Sequence, residues 1–205
     1  MKALFDEAFH VHRYVRNHNM LPAVLEFLLR ERLAAASYSR VAVQQGRVVG
    51  LLLGNLAGGP RLVAARHRRR AAALVGLVLR AGRDLPRLAQ FFTFGRVHAR
   101  LRRRVEGPLG EELSLFLVDS FARGQGVGEK LYADFLAHLW KEGRREFHVY
   151  TDSACTSQFY EQRGLRRAAT EELRVRLTDG VETRVGYLYT GVAEERFGRG
   201  GAAPG

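Results

Sequence analysis

Between Leu113 and Trp140 the chain reads as a strand, a glycine-dense turn and a helix, in that order. Leu113-Ser114-Leu115-Phe116-Leu117-Val118 has the apolar density of a buried strand. Arg123-Gly124-Gln125-Gly126-Val127-Gly128 then opens a segment in which Val127, Leu131, Phe135, Leu136 and Leu139 recur at helical spacing. A glycine-rich turn at a helix start leaves several backbone N–H groups unpaired beside the positive end of the helix dipole, which makes it a cradle for a pyrophosphate. Two common phosphate loops do not fit. A nucleotide-triphosphate loop needs Gly-Lys followed by Ser or Thr, and here Gly128-Glu129-Lys130-Leu131 stands instead. A dinucleotide fingerprint counted from Gly124-x-Gly126 needs glycine at position 129, where the chain has Glu129.

A third pattern, Arg/Gln-x-x-Gly-x-Gly/Ala, is met at Arg123, Gly126 and Gly128. Downstream, Glu146–Thr151 reads as a strand, and Asp152 to Leu165 carries Phe159-Tyr160-Glu161 followed by Gly164-Leu165. Together, over roughly Ser39–Val192 and apart from one insertion, these elements resemble the GNAT superfamily of N-acetyltransferases, with Leu165 in place of the usual final Phe. The resemblance implies an α/β (α+β) fold: a mixed, mostly antiparallel central sheet flanked by helices. It implies acetyl-CoA as co-substrate, and transfer of its acetyl group to a primary amine by direct attack in a ternary complex.

The rest of the chain can be set against that order. Ala3–Phe9 and Leu21–Leu33 are predicted helices, Pro22 being tolerated in a first turn. Arg40–Leu53 reads as a hairpin turning at Gln44-Gln45-Gly46, and a second hairpin turns at Asp179-Gly180 between the alternating runs Leu173–Leu177 and Val181–Tyr189. The family's usual first strand has no room ahead of the first helix. Either the start is shortened or another strand covers that sheet edge. Residues 58–108 are expected to form a helical insertion between strands 3 and 4 of the family order, with helices at Ala71–Leu79 and Leu85–Leu101. Its Phe91-Phe92-Thr93-Phe94 cluster is expected to pack, the alternative being a lid over the acceptor pocket. One domain over 1–195 and a disordered tail at 196–205 complete the reading.

Composition narrows the function classes. The chain has 205 residues and 46% hydrophobic content, which excludes global disorder. One cysteine, Cys155, excludes an intramolecular disulfide framework and suits a reducing cytoplasm, the expected location. No apolar run approaches membrane-spanning length, so no membrane is expected. The net charge is +12, and lysine occurs only at Lys2, Lys130 and Lys141. The arginine excess reads either as codon bias or as a funnel for anions such as the CoA phosphates. The runs His67-Arg68-Arg69-Arg70 and Arg102-Arg103-Arg104 lack the interleaved aromatics of a nucleic-acid surface, although such binding stays open as a rival.

Acetyl transfer needs a proton acceptor for the amine, an N–H donor for the tetrahedral oxyanion and a proton donor for the departing thiolate. By position in the resembled family, Glu112, eleven residues before Arg123, is the candidate base, with Glu111 beside it or water alone as alternatives. Tyr160 is the candidate acid. Backbone groups of Phe116, Leu117 and Val118 would pair with the pantetheine arm and supply the oxyanion donor. Arg123, Gly124, Gln125, Gly126, Val127, Gly128 and Glu129 would wrap the pyrophosphate, and Asp152 would touch the arm. No metal is called for: His10, His12 and His18 lack a zinc spacing. Cys155 as a nucleophile is the minor alternative. The acceptor is a small-molecule or protein amine of unknown identity, and a homodimer is expected only on base rates. The rival readings are a non-catalytic acyl-CoA-binding or sensing module and an arginine-rich nucleic-acid-binding protein.

Overall fold

A computed structural model describes residues 1–63, 73–78, 82–155 and 157–194, with Arg83 and Phe92 described by backbone only. The basic run at 67–70 and the expected tail at 196–205 lie outside the described residues. Of the helix expected at Ala71–Leu79, residues 73–78 are described and are helical.

Six strands form one sheet: β1 (Tyr38–Gln44), β2 (Arg47–Asn55), β3 (Glu111–Val118), β4 (Glu146–Asp152), β5 (Arg166–Leu177) and β6 (Gly180–Val192). Their spatial order is β1-β2-β3-β4-β6-β5. Every neighbouring pair is antiparallel except β3 with β4. The mixed, mostly antiparallel α/β architecture is therefore the one expected. Residues 1–37 hold no strand, so β1 is the sheet edge.

Helices cover both faces. Against one face lie α1 (Lys2–Phe9) and α2 (Leu21–Ala35), which bury Leu4, Phe5, Val24, Leu25 and Leu29 with Leu51, Leu53, Leu115 and Leu117. The same face is continued by α3 (Leu85–Arg103), whose Val97 and Leu101 pack with Ala169 and Leu188. Against the other face lies α4 (Val127–Lys141). Its Leu131, Phe135, Leu136 and Leu139 recur every three or four residues and bury against Leu52, Phe147 and Tyr189, with the short α5 (Gln158–Glu161) beside it. No helix among the described residues is long and apolar enough to cross a membrane.

Within the expected insertion, α3 is bound to β5 and to the N-terminal segment. Gln90 bonds both the carbonyl and the amide of Arg176, Arg100 and Arg104 pair with Glu171, and Phe91 lies 4.9 Å from the Tyr14 ring. Phe91 and Phe94 pack on the core, as the packing reading expects.

One backbone contact sets the separation of β3 and β4. Gly110, just ahead of β3, has φ +67°, and an added Cβ would lie 2.1 Å from the Glu146 carbonyl oxygen. Gly110→Ala will therefore force the strands apart and strain the backbone, costing about 3 kcal/mol and lowering Tm by roughly 6–12 °C. Thermal unfolding followed by circular dichroism measures it, and an unchanged Tm would refute the contact.

Candidate active site

Strands β3 and β4 share only two parallel pairs, Glu111 with Phe147 and Glu112 with His148. Beyond them β3 stays bound to β2 as far as Val118, and β4 to β6 as far as Asp152. The two strands part, each with one backbone edge unpaired. An open edge inside a sheet offers N–H and C=O groups to an extended ligand as another strand would. Phe116, Leu117 and Val118 lie on the β3 side of this gap.

Helix α4 starts just past the gap. Gly126 is its N-cap, with φ 75° and no side-chain capping bond. Its first turn is closed by Lys130 N–H to the Gly126 carbonyl at 2.9 Å, so the amides of Val127, Gly128 and Glu129 precede the helical ladder and point out of its end. Nothing lies within 4 Å of where a Cβ on Gly124 or Gly126 would stand, whereas one on Gly128 would touch Val118, Phe116 and Phe159 at 3.4–3.8 Å. Arg123 is exposed, 3.8 Å from Glu7. Gln125 holds the turn by bonding the Phe121 carbonyl at 2.6 Å. Glu129 is exposed and lies 3.6 Å from Arg163, whose guanidinium stacks on Phe159.

Tyr160 is carried by α5 onto the same face, 7% exposed, its ring 5.5 Å from Phe159 and 5.8 Å from Tyr189. Burial is the main cause that pushes its phenol above the ordinary range, reinforced by Cys155 and Tyr132. It is a protonated hydroxyl at any physiological pH. The Cys155 thiol is raised to about 11, chiefly by burial and then by Asp152, which leaves it a poor nucleophile. The Asp152 carboxylate accepts from Ala154 N–H at 2.8 Å and lies 3.8 Å from Arg184 on the opposite face of the sheet from α4.

A bulge in β3 decides where the two candidate glutamates point. Leu53 pairs with Leu115 and Gly54 with Leu113, so Ser114 is an extra residue, its hydroxyl bonded to the Leu53 carbonyl at 3.2 Å. One inserted residue reverses the alternation of faces. Leu115 and Leu117 bury beneath α1 and α2, while Leu113 buries beneath α4. Glu111 consequently turns to the α4 side, where Arg144 and the Ala57 amide (2.6 Å) hold its carboxylate. Glu112 turns to the other face, with Asn55 Nδ2 at 3.4 Å from Oε2. Glu111 is thus held in an ion pair with Arg144, and Glu112 lies on the face opposite α4 at the last paired position before the strands part.

No protein-family model matches the sequence, and no curated protein matches it. Several solved structures are similar in backbone. The ribosomal-protein-S18-alanine N-acetyltransferase from Escherichia coli is 12% identical, over 83% of this chain and 77% of that one, with a TM-score of 0.48. An N-acetyltransferase from Staphylococcus aureus Mu50 is 13% identical, over 94% and 90%, with a TM-score of 0.46. A GNAT family acetyltransferase from Elizabethkingia anophelis with acetyl-CoA bound is 12% identical, over 80% and 81%, with a TM-score of 0.44. Likeness at this level assigns no chemistry, which has to come from the side chains of this chain.

The fold brings to Glu112 four residues that the sequence did not single out. His148 is its cross-strand neighbour. Tyr150 lies two residues on along β4, its ring edge-on to His148 at 5.3 Å. His98 of α3 stacks on Tyr150 at 4.1 Å, the rings within 7° of parallel. Arg32 of α2 is lowered by burial, with the charge of Glu112 working against that. The alternation Phe147-His148-Val149-Tyr150 places His148 and Tyr150 on the face opposite the buried Phe147 and Val149, which is the signal that could have found them. Among the described residues no three His, Cys, Asp or Glu side chains form a metal-binding group.

In the described basic run, two arginines make contacts within the fold. Arg104 pairs with Glu171, and Arg102 bonds the carbonyls of Val105 (2.8 Å) and Gly107 (2.7 Å). Those contacts close the turn after α3.

Proposed function

We propose that the protein is an acetyl-CoA-dependent N-acetyltransferase of the GNAT type, transferring the acetyl group to a primary amine by direct attack. The observation that carries this reading is the uncapped α4 end with its three free amides, set beside the gap where β3 and β4 part. A pyrophosphate fits the first feature and an extended amide-bearing arm fits the second, and CoA has both, joined. Open space at Gly124 and Gly126 and the aromatic group Phe116, Phe159 and Tyr132 flank the path between them.

In this reading the amides of Val127–Glu129 and the loop from Arg123 hold the pyrophosphate, and one N–H of Phe116–Val118 stabilises the tetrahedral oxyanion. The acceptor enters from the face of Glu112, which takes the amine proton. Tyr160, on the face of α4, protonates the departing thiolate. The two residues border one gap from opposite faces, which separates acid from base. With Cys155 disfavoured as a thiolate, direct transfer needs no covalent enzyme intermediate.

Calorimetric titration with acetyl-CoA is the direct test, and absence of binding by a folded sample rejects the reading. A paired substitution tests the glutamates. Glu112→Gln should lower kcat about 100-fold, with a stability loss confined to the weakened attraction to Arg32. Glu111→Gln should leave kcat within about threefold but weaken the fold by about 1–3 kcal/mol, because Arg144 loses its partner. Thiol-release kinetics with thermal unfolding separates the two, and the reverse pattern would move the base to Glu111.

A further inference from the structure

We propose that the protein is a homodimer in which β1 pairs antiparallel with β1 of a second copy, about a twofold axis through Ala42, joining two six-stranded sheets into one. The inference goes beyond the acetyltransferase reading and does not depend on it.

The two edges of the sheet differ. The outer edge of β5 is covered by α3. Gln90 donates to the Arg176 carbonyl at 2.6 Å and accepts from the Arg176 amide at 2.9 Å. Arg87 Nε bonds the Leu177 carbonyl at 3.2 Å, and Arg104 bonds the Thr170 carbonyl. The outer edge of β1 has no such cover: among the described residues, the backbone of 39–43 is paired with β2 alone. An open edge offers N–H and C=O groups to another strand, and proteins that guard such edges do so with lysine, proline or inward-pointing charge. The β1 sequence Tyr-Ser-Arg-Val-Ala-Val-Gln has no lysine or proline, and Arg40 is its one charge.

Tyr38, Arg40 and Ala42 lie on the α4 face. Tyr38 stacks on His138 at 4.5 Å, Arg40 is 3.8 Å from Asp134, and Ala42 packs on the cluster beneath the helix. Alternation puts Val41 and Val43 on the other face, where they are 48% and 58% exposed. The irregularity in this hairpin leaves that alternation intact. Ala42 pairs with Gly50 and Val43 with Val48, so the extra residue is Val49 on β2. Helices α1 and α2 bury Leu51 and Leu53 of β2 and stop short of the two valines.

The register selects a second copy as the occupant. Antiparallel pairing centred on Ala42 sets Val41 of each copy opposite Val43 of the other, and Arg40 opposite Gln44. Four valines then form one apolar block, and no like charges stand opposite each other. Centring on Arg40 would set two guanidinium groups face to face, and centring on Val41 would set each Val43 against Ser39. The helices leave room for the pairing. Helix α4 lies over β2, where Leu131 and Phe135 fill the space above Gly50 and Gly54. The two β2 strands stand three strand spacings apart, which puts the two α4 axes about 14 Å from each other, wider than the ~8–10 Å of helices in contact. The gap between β3 and β4 lies beyond β2 in each copy and stays open. A net charge of +12 on each chain opposes association, so salt should tighten this dimer, whereas it loosens a complex held by opposite charges.

Sedimentation equilibrium tests the proposal. Wild type should behave as a dimer of 23.0 kDa chains, and its dissociation constant should fall at least about threefold as salt is raised from about 0.05 to 0.5 M. Val41→Lys with Val43→Lys sets four ammonium groups in the block and should weaken association at least about 100-fold. Both positions are exposed, so the circular dichroism spectrum and Tm should be kept. Val181→Lys, at a valine 64% exposed on β6, should leave association within about threefold. Cysteines test the register. Val41→Cys with Val43→Cys places each new thiol directly opposite its mate, the Cα atoms about 4.5–5.5 Å apart and within disulfide range. Val41→Cys alone leaves the two thiols on a diagonal of about 7–8 Å, too far to bridge. Mild oxidation should therefore give a covalent dimer from the double variant and none from the single one. A wild type that sediments as a monomer at every concentration overturns the proposal. So does a dimer that salt loosens, that the paired lysines leave intact, or that the cysteine pair fails to cross-link. If the lysine variant does not fold, the two cysteine variants decide.

Discussion

Gly126→Val will give a folded protein whose affinity for acetyl-CoA falls by at least about 100-fold. Gly126 caps α4 with φ 75°, a region that a β-branched residue enters only with strain. Strain of about 1–2 kcal/mol is tolerable in a domain of this size, and no atom lies within 4 Å of the added Cβ, so the fold survives. The ligand site does not. The Cβ stands in the open space of the turn, and relief of the strain rotates the first peptide planes of the helix. That turns the amides of Val127, Gly128 and Glu129 away from a common point. Three charge-assisted hydrogen bonds converging on one pyrophosphate depend on that point being shared. Calorimetry on the variant, with circular dichroism as the folding control, measures the effect. Gly126→Ala should fall between wild type and valine. Undiminished binding by a folded valine variant would mean that the turn is only structural, and acetyl-CoA would then need another seat.

How far the sequence revealed this site depended on whether the signal was local. The glycine turn is local: three glycines, an arginine and a helix with one apolar stripe are contiguous, and both the N-cap and the buried stripe of α4 follow from them. The hairpins at Gln45-Gly46 and Asp179-Gly180 were legible for the same reason. The face of Glu112 was not legible. Leu113, Leu115 and Leu117 alternate as though one side of β3 were uniformly buried, yet the bulge at Ser114 sends Leu113 beneath a different helix from the other two. A bulge in β3 is set by its register with β2, some sixty residues earlier, and no residue of β3 announces it. This is why Glu111 and Glu112 stood as alternatives in sequence and are separated in space. His148 was equally hidden, since its meaning comes from a parallel pair only two residues long. Charge was the least specific signal. A net +12 suggests a surface open to polyanions, but Arg100, Arg102, Arg104 and Arg144 make contacts that tie α3 and α4 to the sheet and to the turns beside it.

Tyr160→Phe will lower kcat by about 100-fold or more while acetyl-CoA affinity stays within about threefold. The substitution removes one oxygen from a ring that is 7% exposed and packed among Phe159, Tyr132 and Tyr189, so the packing is kept and the fold loses little. The phenol's elevated pKa comes mainly from burial, which disfavours the phenolate. A group so placed holds its proton in the ground state and gives it up only to a strong base nearby, and a thiolate expelled from a thioester beside it is such a base. Phenylalanine leaves that thiolate to be protonated by water, if water reaches it at all. The loss should therefore shrink with a thioester or analogue whose leaving group is less basic, and this sets a chemical role apart from a packing role. Steady-state thiol release with acetyl-CoA and with a more acidic aryl thioacetate makes the comparison. Equal losses with both donors would reduce Tyr160 to a core residue. A loss confined to acetyl-CoA would identify it as the acid that completes the transfer begun on the opposite face by Glu112.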